Sequence, residues 1–394
     1  MKNILLATIF IFTIIGCQGL DQKSEWESLT KQKNDLYRRG DYKEAVVVAG
    51  QALAIAEDLD SDQLISSLND LAVLYNIQGE YSKAEQLFLR SISITESTLG
   101  EDHPDLAFSM NNLAELYRAQ GKQTLAEPLY IRALDITEKD SGPDSLKTGI
   151  ILNNLAELNT AKYNYTHAEA LYRRSLKIFE KNYGPDHPDV ATVLNNLAEL
   201  YKSQRRYSAA EPLYKRSLSI TEKSLGQQHP DVAITLNNLA DLYYKEKKYD
   251  DAHPLYIRSI NIMEKSHGSD SPNYAMVLNN LALLYDAKAM YSEAEPFYVQ
   301  SLEIMEKKLG YDHPNVIKIY VYNLAGYYNK RGMYHKSIPL YKRAILAMER
   351  AYGPDHRNVA IPLYDLADTY TKLGQKNMAI DLRERADKIK EMTQ

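Results

Sequence analysis

Five histidines, His103, His187, His229, His313 and His356, recur at intervals of 42, 43 or 84 residues, four of them in an Asp/Gln-His-Pro context. Imidazole is the commonest protein metal ligand, and a Zn–N bond of about 2 Å requires ligands that converge. Equivalent positions in successive units of a stacked helical array stand on the order of 10 Å apart, so these histidines read as turn residues and no metal site is expected. Asn112, Asn154, Asn196, Asn238, Asn280 and Asn323 form a second periodic set, flanked by Asp70 and Asp365. A carboxamide both donates and accepts, so a row of them suits the main chain of another polypeptide whatever its side chains, and equally suits bonds between neighbouring units. A third row, Glu115, Glu157, Glu199, Asp241 and Asp368, is answered by Arg118, Lys202, Lys245 and Lys372 three or four residues on, with Glu157 lacking such a neighbour. It reads as a self-paired, solvated face, the alternative being a selector of basic partners. Cys17 is the single thiol among 394 residues, which excludes an internal disulfide framework and any site needing several thiolates. No GxGxxG, GxxxxGK[ST], HExxH or GxSxG motif occurs, so neither an enzyme nor a cofactor nor a small-molecule substrate is indicated.

Composition narrows the classes further. Hydrophobic residues make up 44% and charged residues 25%, within the range of folded globular chains. Lys and Arg number 47 against 52 Asp and Glu, a net charge of −5, which offers no basic field to nucleic acid. Tyrosine is abundant, 31 residues against 6 Phe and 1 Trp, and it is periodic.

The elements that position these rows follow from a 42-residue period. The stretch from Asn111 to Tyr117 recurs from Asn153, Asn195, Asn237 and Asn279, with looser copies from Asn69, Tyr322 and Tyr364. Leu194, Leu197, Ala198 and Tyr201 stand at i, i+3, i+4 and i+7, the spacing of one helix face. Ala210, Leu213, Tyr214, Ser217 and Leu218 continue it in a second helix, so each unit is a helix pair. Ser82, Thr124, Thr166, Ser208 and Ser292, each followed three residues later by Glu, predict capping boxes opening the second helices. Glycines 100, 142, 184, 226, 268, 310 and 353 predict left-handed caps after them. Pro104, Pro188, Pro230, Pro272 and Pro314 then open the next first helix. Ala72, Ala114, Ala156, Ala198, Ala240, Ala282, Ala325 and Ala367 are expected to let paired helices approach closely. Phe108, Ile150, Ile234, Met276 and Ile319, early in the first helices, are expected to pack between repeats, the alternative being that they give apolar pockets.

With Leu197, Ala198, Tyr201, Ala210, Tyr214 and Ser217 in that register, the chain resembles the tetratricopeptide repeat (TPR) family. The LNNLAxLY and GxDHPxV segments of its 42-residue unit resemble kinesin light chain repeats and their bacterial relatives. The resemblance implies an all-α fold, a right-handed TPR superhelical solenoid of about nine helix pairs over residues 26–393, with units starting near 26, 65, 107, 149, 191, 233, 275, 318 and 360. It further implies a concave peptide-binding groove lined by Asn112, Asn154, Asn196, Asn238, Asn280 and Asn323. No heptad segment or nucleotide-binding domain precedes the repeats in this sequence, so a motor role is not implied. The eighth unit slips to 43 residues, and its Tyr320, Tyr322, Tyr327 and Tyr328 suggest a special contact site.

Residues 1–16 combine Lys2 with the uncharged run Ile4 to Gly16, too short to span a bilayer and suited to a signal peptide. Ile14-Ile15-Gly16-Cys17 resembles the lipobox of bacterial lipoproteins, which implies cleavage before Cys17, acylation of its thiol and a short tether over 17–25. Gln18 in place of Asp implies an outer-membrane destination, on the periplasmic side, if the cell is Gram-negative. The expected function is a lipid-anchored TPR adaptor in the cell envelope that holds protein or peptide partners. The alternatives are a self-associating structural array and an accessory factor of an envelope assembly or secretion machine.

Overall fold

The computed structural model describes residues 22–313 and 316–392. Cys17, the signal segment 1–16, most of the tether, and Pro314 lie outside the described residues. Eighteen helical segments run in sequence, starting with α1 (22–39), α2 (Tyr42–Ala56), α3 (Ser61–Ile77), α4 (Tyr81–Thr98), α5 (Pro104–Ala119) and α6 (Gln123–Ser141). They continue with α7 (Leu146–Ala161), α8 (Tyr165–Tyr183), α9 (Pro188–Ser203), α10 (Tyr207–Leu225), α11 (Pro230–Lys245) and α12 (Tyr249–His267). The last are α13 (Pro272–Ala287), α14 (Tyr291–Leu309), a π-helical turn Val316–Val321 that leads into α15 (Tyr322–Lys330), then α16 (Tyr334–Tyr352), α17 (Arg357–Lys372) and α18 (Lys376–Met392). No strand occurs among the described residues, and odd and even helices form nine pairs. Contacts divide the chain into two compact units, residues 1–178 and 179–394. In a repeat protein each pair touches chiefly its neighbours, so the chain has no single centre.

Both units build their cores alike. In the first, Ala72, Ala114 and Ala156 are fully buried beside Phe88, Tyr130 and Tyr172 of the second helices. In the second, Ala198, Ala240, Ala282, Ala325 and Ala367 are fully buried with Tyr214, Tyr256, Tyr298 and Tyr341. A methyl group on one helix leaves room for a whole aromatic ring on its partner, which is the alternation of small and large that close packing requires. Ser217 and Ser259, also buried, satisfy their hydroxyls on the Ala191 and Ala233 carbonyls of the paired first helices at 2.8 and 2.7 Å.

Helix punctuation agrees with the sequence in part. Pro104, Pro188, Pro230 and Pro272 do open first helices. The histidines before three of them are N-caps: Nδ1 of His103, His187 and His229 accepts the backbone N–H two residues on at 3.2–3.3 Å, and His356 does the same for Asn358. The expected capping boxes are absent from α4, α6, α10 and α14. These helices begin one residue before Ser82, Thr124, Ser208 and Ser292, and their N-cap side chains make no cap bond. The box glutamates are used between repeats instead. Gly142 and Gly226 do follow their helices with positive φ, but at φ 91, ψ 159 and φ 90, ψ 152 they are extended rather than left-handed helical. That region is essentially closed to other residues.

Within each pair the turn also needs one residue at positive φ. Glycine fills it at Gly79, Gly121, Gly332 and Gly374, whereas Tyr163, Arg205, Lys247 and Ala289 hold φ of 59–62° without that freedom. The extra residue of the eighth unit is absorbed by the π-helical turn Val316–Val321, as single insertions into helices commonly are. Tyr327 and Tyr328 beyond it are buried, so they are core residues rather than an exposed contact site. The side chain of Tyr320 lies outside the described set.

Candidate functional site

The odd-numbered helices carry the asparagine rows on one face. In the second unit the amides join into a chain: Asn323 Nδ2 donates to Asn279 Oδ1 at 3.1 Å, Asn280 to Asn237 at 2.9 Å and Asn238 to Asn195 at 3.0 Å. Longer bonds within each pair link Asn279 to Asn280 at 3.5 Å and Asn237 to Asn238 at 3.3 Å. In the first unit Asn154 donates to Asn111 at 3.0 Å, and Asn153 to Asn154 at 3.4 Å. Within each unit the row therefore ties successive first helices together, and Asn112, Asn154, Asn196, Asn238, Asn280 and Asn323 are all partly exposed. Asn154, Asn238 and Asn280 each use one of two amide hydrogens and one of two oxygen lone pairs in these bonds.

The row is interrupted at its start. Asn69 turns its amide nitrogen to Ser91 Oγ and Ser109 Oγ at 3.0 Å and to the Ile65 carbonyl at 2.9 Å. Asn112 Nδ2 and Asn69 Oδ1, the two atoms that would make the next rung, are buried without partners. Asp70, in the preceding repeat, pairs with buried Lys33 at 2.6 Å. Asp365 at the far end is held above the usual carboxylate range by burial.

The acidic row is paired, and more widely than local spacing indicates. Arg118 bonds Glu115 and also reaches Glu157 of the next repeat at 3.4 Å, so Glu157 has a cation after all. Burial nonetheless raises the Glu157 carboxyl. Lys202 bridges Glu199 at 2.7 Å and Asp241 at 2.5 Å. Buried Tyr130 and Tyr214 donate to Glu115 at 2.9 Å and Glu199 at 2.8 Å, and their phenols are raised well above the ordinary value, mainly by burial. Arg383, which replaces the tyrosine in the last pair, makes the equivalent bond to Asp368 at 2.7 Å. Lys245 and Lys372 depart from the expected local pairing: one lies 5.4 Å from the Tyr244 ring, the other 3.5 Å from Asn329 Oδ1.

Two further ladders escaped the sequence reading. The glutamates assigned to capping boxes accept from the next repeat: Glu85 from Tyr117 at 2.8 Å, Glu127 from Lys162 at 2.7 Å, Glu211 from Tyr243 and Glu295 from Tyr328 at 2.9 Å. Burial and the Glu85 bond push the Tyr117 phenol up to about 12. On the even helices an arginine clamps the glutamate 36 residues earlier: Arg132 to Glu96 at 3.1 Å and Arg174 to Glu138 at 2.6 Å in the first unit, Arg216 to Glu180 at 2.8 Å and Arg258 to Glu222 at 2.6 Å in the second. Arg343 and Arg385 repeat the contact with Glu306 and Glu349. The signal was present as arginines and glutamates recurring every 42 residues, but a pairing across 36 residues is visible only once the helices are stacked.

Phe108 and Ile150 are 59% and 50% exposed, which at these two positions fits the apolar-pocket alternative rather than packing between repeats. They flank a cleft of about 270 Å³ in the first unit, floored by Ala107, Asn111, Thr137 and Ile151 and rimmed by Asp105 and Lys147. No group of His, Cys, Asp or Glu able to hold a metal ion occurs among the described residues. None of the described helices is long and apolar enough to cross a membrane.

Stacked helix pairs whose first helices share an amide row and whose second helices share an arginine clamp define a helical repeat protein. The chain belongs to the tetratricopeptide repeat family, whose repeat model matches residues 28–97, 63–139, 124–181, 147–223, 209–265, 231–307 and 315–391. Among solved structures it is similar to BtubC (BKLC) from P. vanneervenii, with 28% identity over 59% of this chain and 92% of that one, at a TM-score of 0.46. It is also similar to the nearly identical TPR-like repeats of a Podosopora anserina putative kinesin light chain, with 24% identity over 53% of this chain and 98% of that one, at a TM-score of 0.44. A Rap protein complexed with Competence and Sporulation Factor shares the fold over 94% of this chain and 98% of its own, at 14% identity and a TM-score of 0.57. Among curated proteins none matches by sequence.

Proposed function

We propose that the chain is a lipid-anchored adaptor that holds an extended segment of a partner protein along the asparagine face of its first helices. As a tetratricopeptide repeat protein it is a scaffold for protein–protein interaction. The observation that carries the finer reading is the unfilled capacity of Asn154, Asn238 and Asn280, each left with one N–H and one lone pair after the rung bonds. A peptide unit likewise presents one N–H and one carbonyl, so the ladder matches a main chain irrespective of its side chains. The exposed apolar side chains beside it, Phe108 and Ile150, add contact area at the same face. The anchor is Cys17, whose acylation follows from the lipobox resemblance.

Two experiments test this. Metabolic labelling with a fatty-acid analogue is expected to mark the wild type and not Cys17→Ala; label absent from both rejects the anchor. A photo-crosslinking residue placed at Phe108 is expected to capture a partner in the membrane fraction, whose affinity then falls at least tenfold in Asn154→Ala. The rung bonds favour a second reading, in which the asparagines serve only to lock repeats together. Undiminished binding by a variant of lowered thermal midpoint selects that reading.

A further inference from the structure

The even helices of the first unit leave an apolar face without a partner. Val47 on α2, Leu89 on α4, and Leu125 and Ile131 on α6 are 60%, 47%, 48% and 54% exposed. Pro128, also exposed, lies between Leu125 and Ile131 at helical i, i+3, i+6 spacing. In the second unit α10, α12 and α14 carry no large apolar side chain of comparable exposure; Lys215 stands at the position of Ile131, two repeats on, and Asp251 at that of Leu125, three repeats on. Exposed apolar side chains return at the far end of the second unit, with Leu346 on α16 at 54% and Met378, in the position of Leu125, and Ile380 on α18 at 44% and 52%, so the apolar character is set by particular residues rather than by the repeat pattern, and only the stretch on α2, α4 and α6 lies in the repeats that follow Cys17.

What covers it is indicated by the chain that precedes it. Four residues separate Cys17 from the start of α1, and whatever their conformation the five Cα steps reach at most about 18 Å. Helix α2, which carries Val47, packs on α1 through Leu36, Val46 and Leu53 around Ala45 and Ala49. An acylated Cys17 holds this unit beside the bilayer, at a local concentration that makes a weak surface contact effective without further affinity. We infer that the outer face of α2, α4 and α6 lies on the lipid surface, with Val47, Leu89, Leu125 and Ile131 entering the headgroup boundary as the side chains of interfacial helices do. The first-helix face is then left open to a partner. This inference rests on the anchored reading above.

The test uses the full acylated chain in vesicles of phosphatidylethanolamine and phosphatidylglycerol (3:1) containing brominated acyl chains, which quench a nearby fluorophore. With Cys17 acylated, Leu89→Cys, Ile131→Cys and Phe108→Cys each present one thiol for an environment-sensitive dye. The expected result is at least twofold quenching of dye at residues 89 and 131, and none at 108. Adding Val47→Asp and Leu125→Asp, exposed positions where the fold is retained, is expected to abolish quenching at 89 while the protein still floats with the vesicles. Flotation with equal or absent quenching at all three sites overturns the inference and leaves the anchor standing. Failure to float overturns both. Energy transfer between two labelled copies at residue 89, without quenching, assigns the face to a second copy of the chain and overturns the lipid contact.

Discussion

At the scale of single residues the positions that depart from their repeat are the informative ones. His103, His187, His229 and His356 read as turn residues in the sequence, and in the structure their imidazoles are helix caps, each holding the amide two residues on. Replacing a side-chain cap by alanine costs about 1 kcal/mol, so His229→Ala is expected to lower stability by that amount and His229→Asn to restore most of it, read by urea denaturation. Glu157 carries the opposite lesson. Burial raises its carboxyl, so the folded state binds its proton more tightly than the unfolded chain does, and its charge costs stability as pH rises past the ordinary value of 4.5, in full above the folded one. Glu157→Gln is therefore expected to raise the thermal midpoint at pH 7 and to raise it less at pH 4, where the wild-type group is mostly protonated in both states. Glu211 and Glu295 run the other way. Bonds from Lys215 and Lys336 lower their carboxyls, so their stabilisation is present above the ordinary value of 4.5 and is lost as pH falls through the lower folded values.

At the scale of elements the helix pairs were legible because period and face recur in eight of the nine pairs; their ends were less so. Pro104 or Pro230 marks a helix start through its own fixed φ, a property local to the residue. Ser82 and Glu85 match a capping pattern equally well whether the helix begins after Ser82 or before it, and what decides is Tyr117 in the next repeat, which takes the glutamate. The asparagine row was legible as a row, whereas its division between rung bonds and free capacity depends on the approach of neighbouring helices, which no spacing encodes. The turns within pairs yield a prediction of their own. Ala289 holds φ 59° where Gly332 serves one repeat later. Ala289→Gly removes a backbone strain of about 1 kcal/mol and is expected to raise the thermal midpoint, despite the flexibility it adds to the unfolded chain. A lowered midpoint would show that the turn is not strained there.

At the scale of the whole molecule, stability is a sum over pairs and over the ties between neighbouring pairs, so one missing tie is felt locally. The arginine clamp is missing at one such step. Gln300 stands where the arginine belongs, 36 residues after Glu264. Gln300→Arg is expected to complete the clamp and add up to about 1 kcal/mol, the upper range for an exposed ion pair, detectable as a higher denaturation midpoint that disappears at high salt. The π-helical turn Val316–Val321 bears on descent as well as on stability. Asn323 finds Asn279 forty-four residues back, where every other described rung between repeats spans forty-three, because the surplus residue was taken up before the row resumed. An array with that means of repair tolerates a gained codon inside a repeat without forfeiting the phase of everything downstream, so its copies can drift in length while the lattice of ties between them is inherited intact.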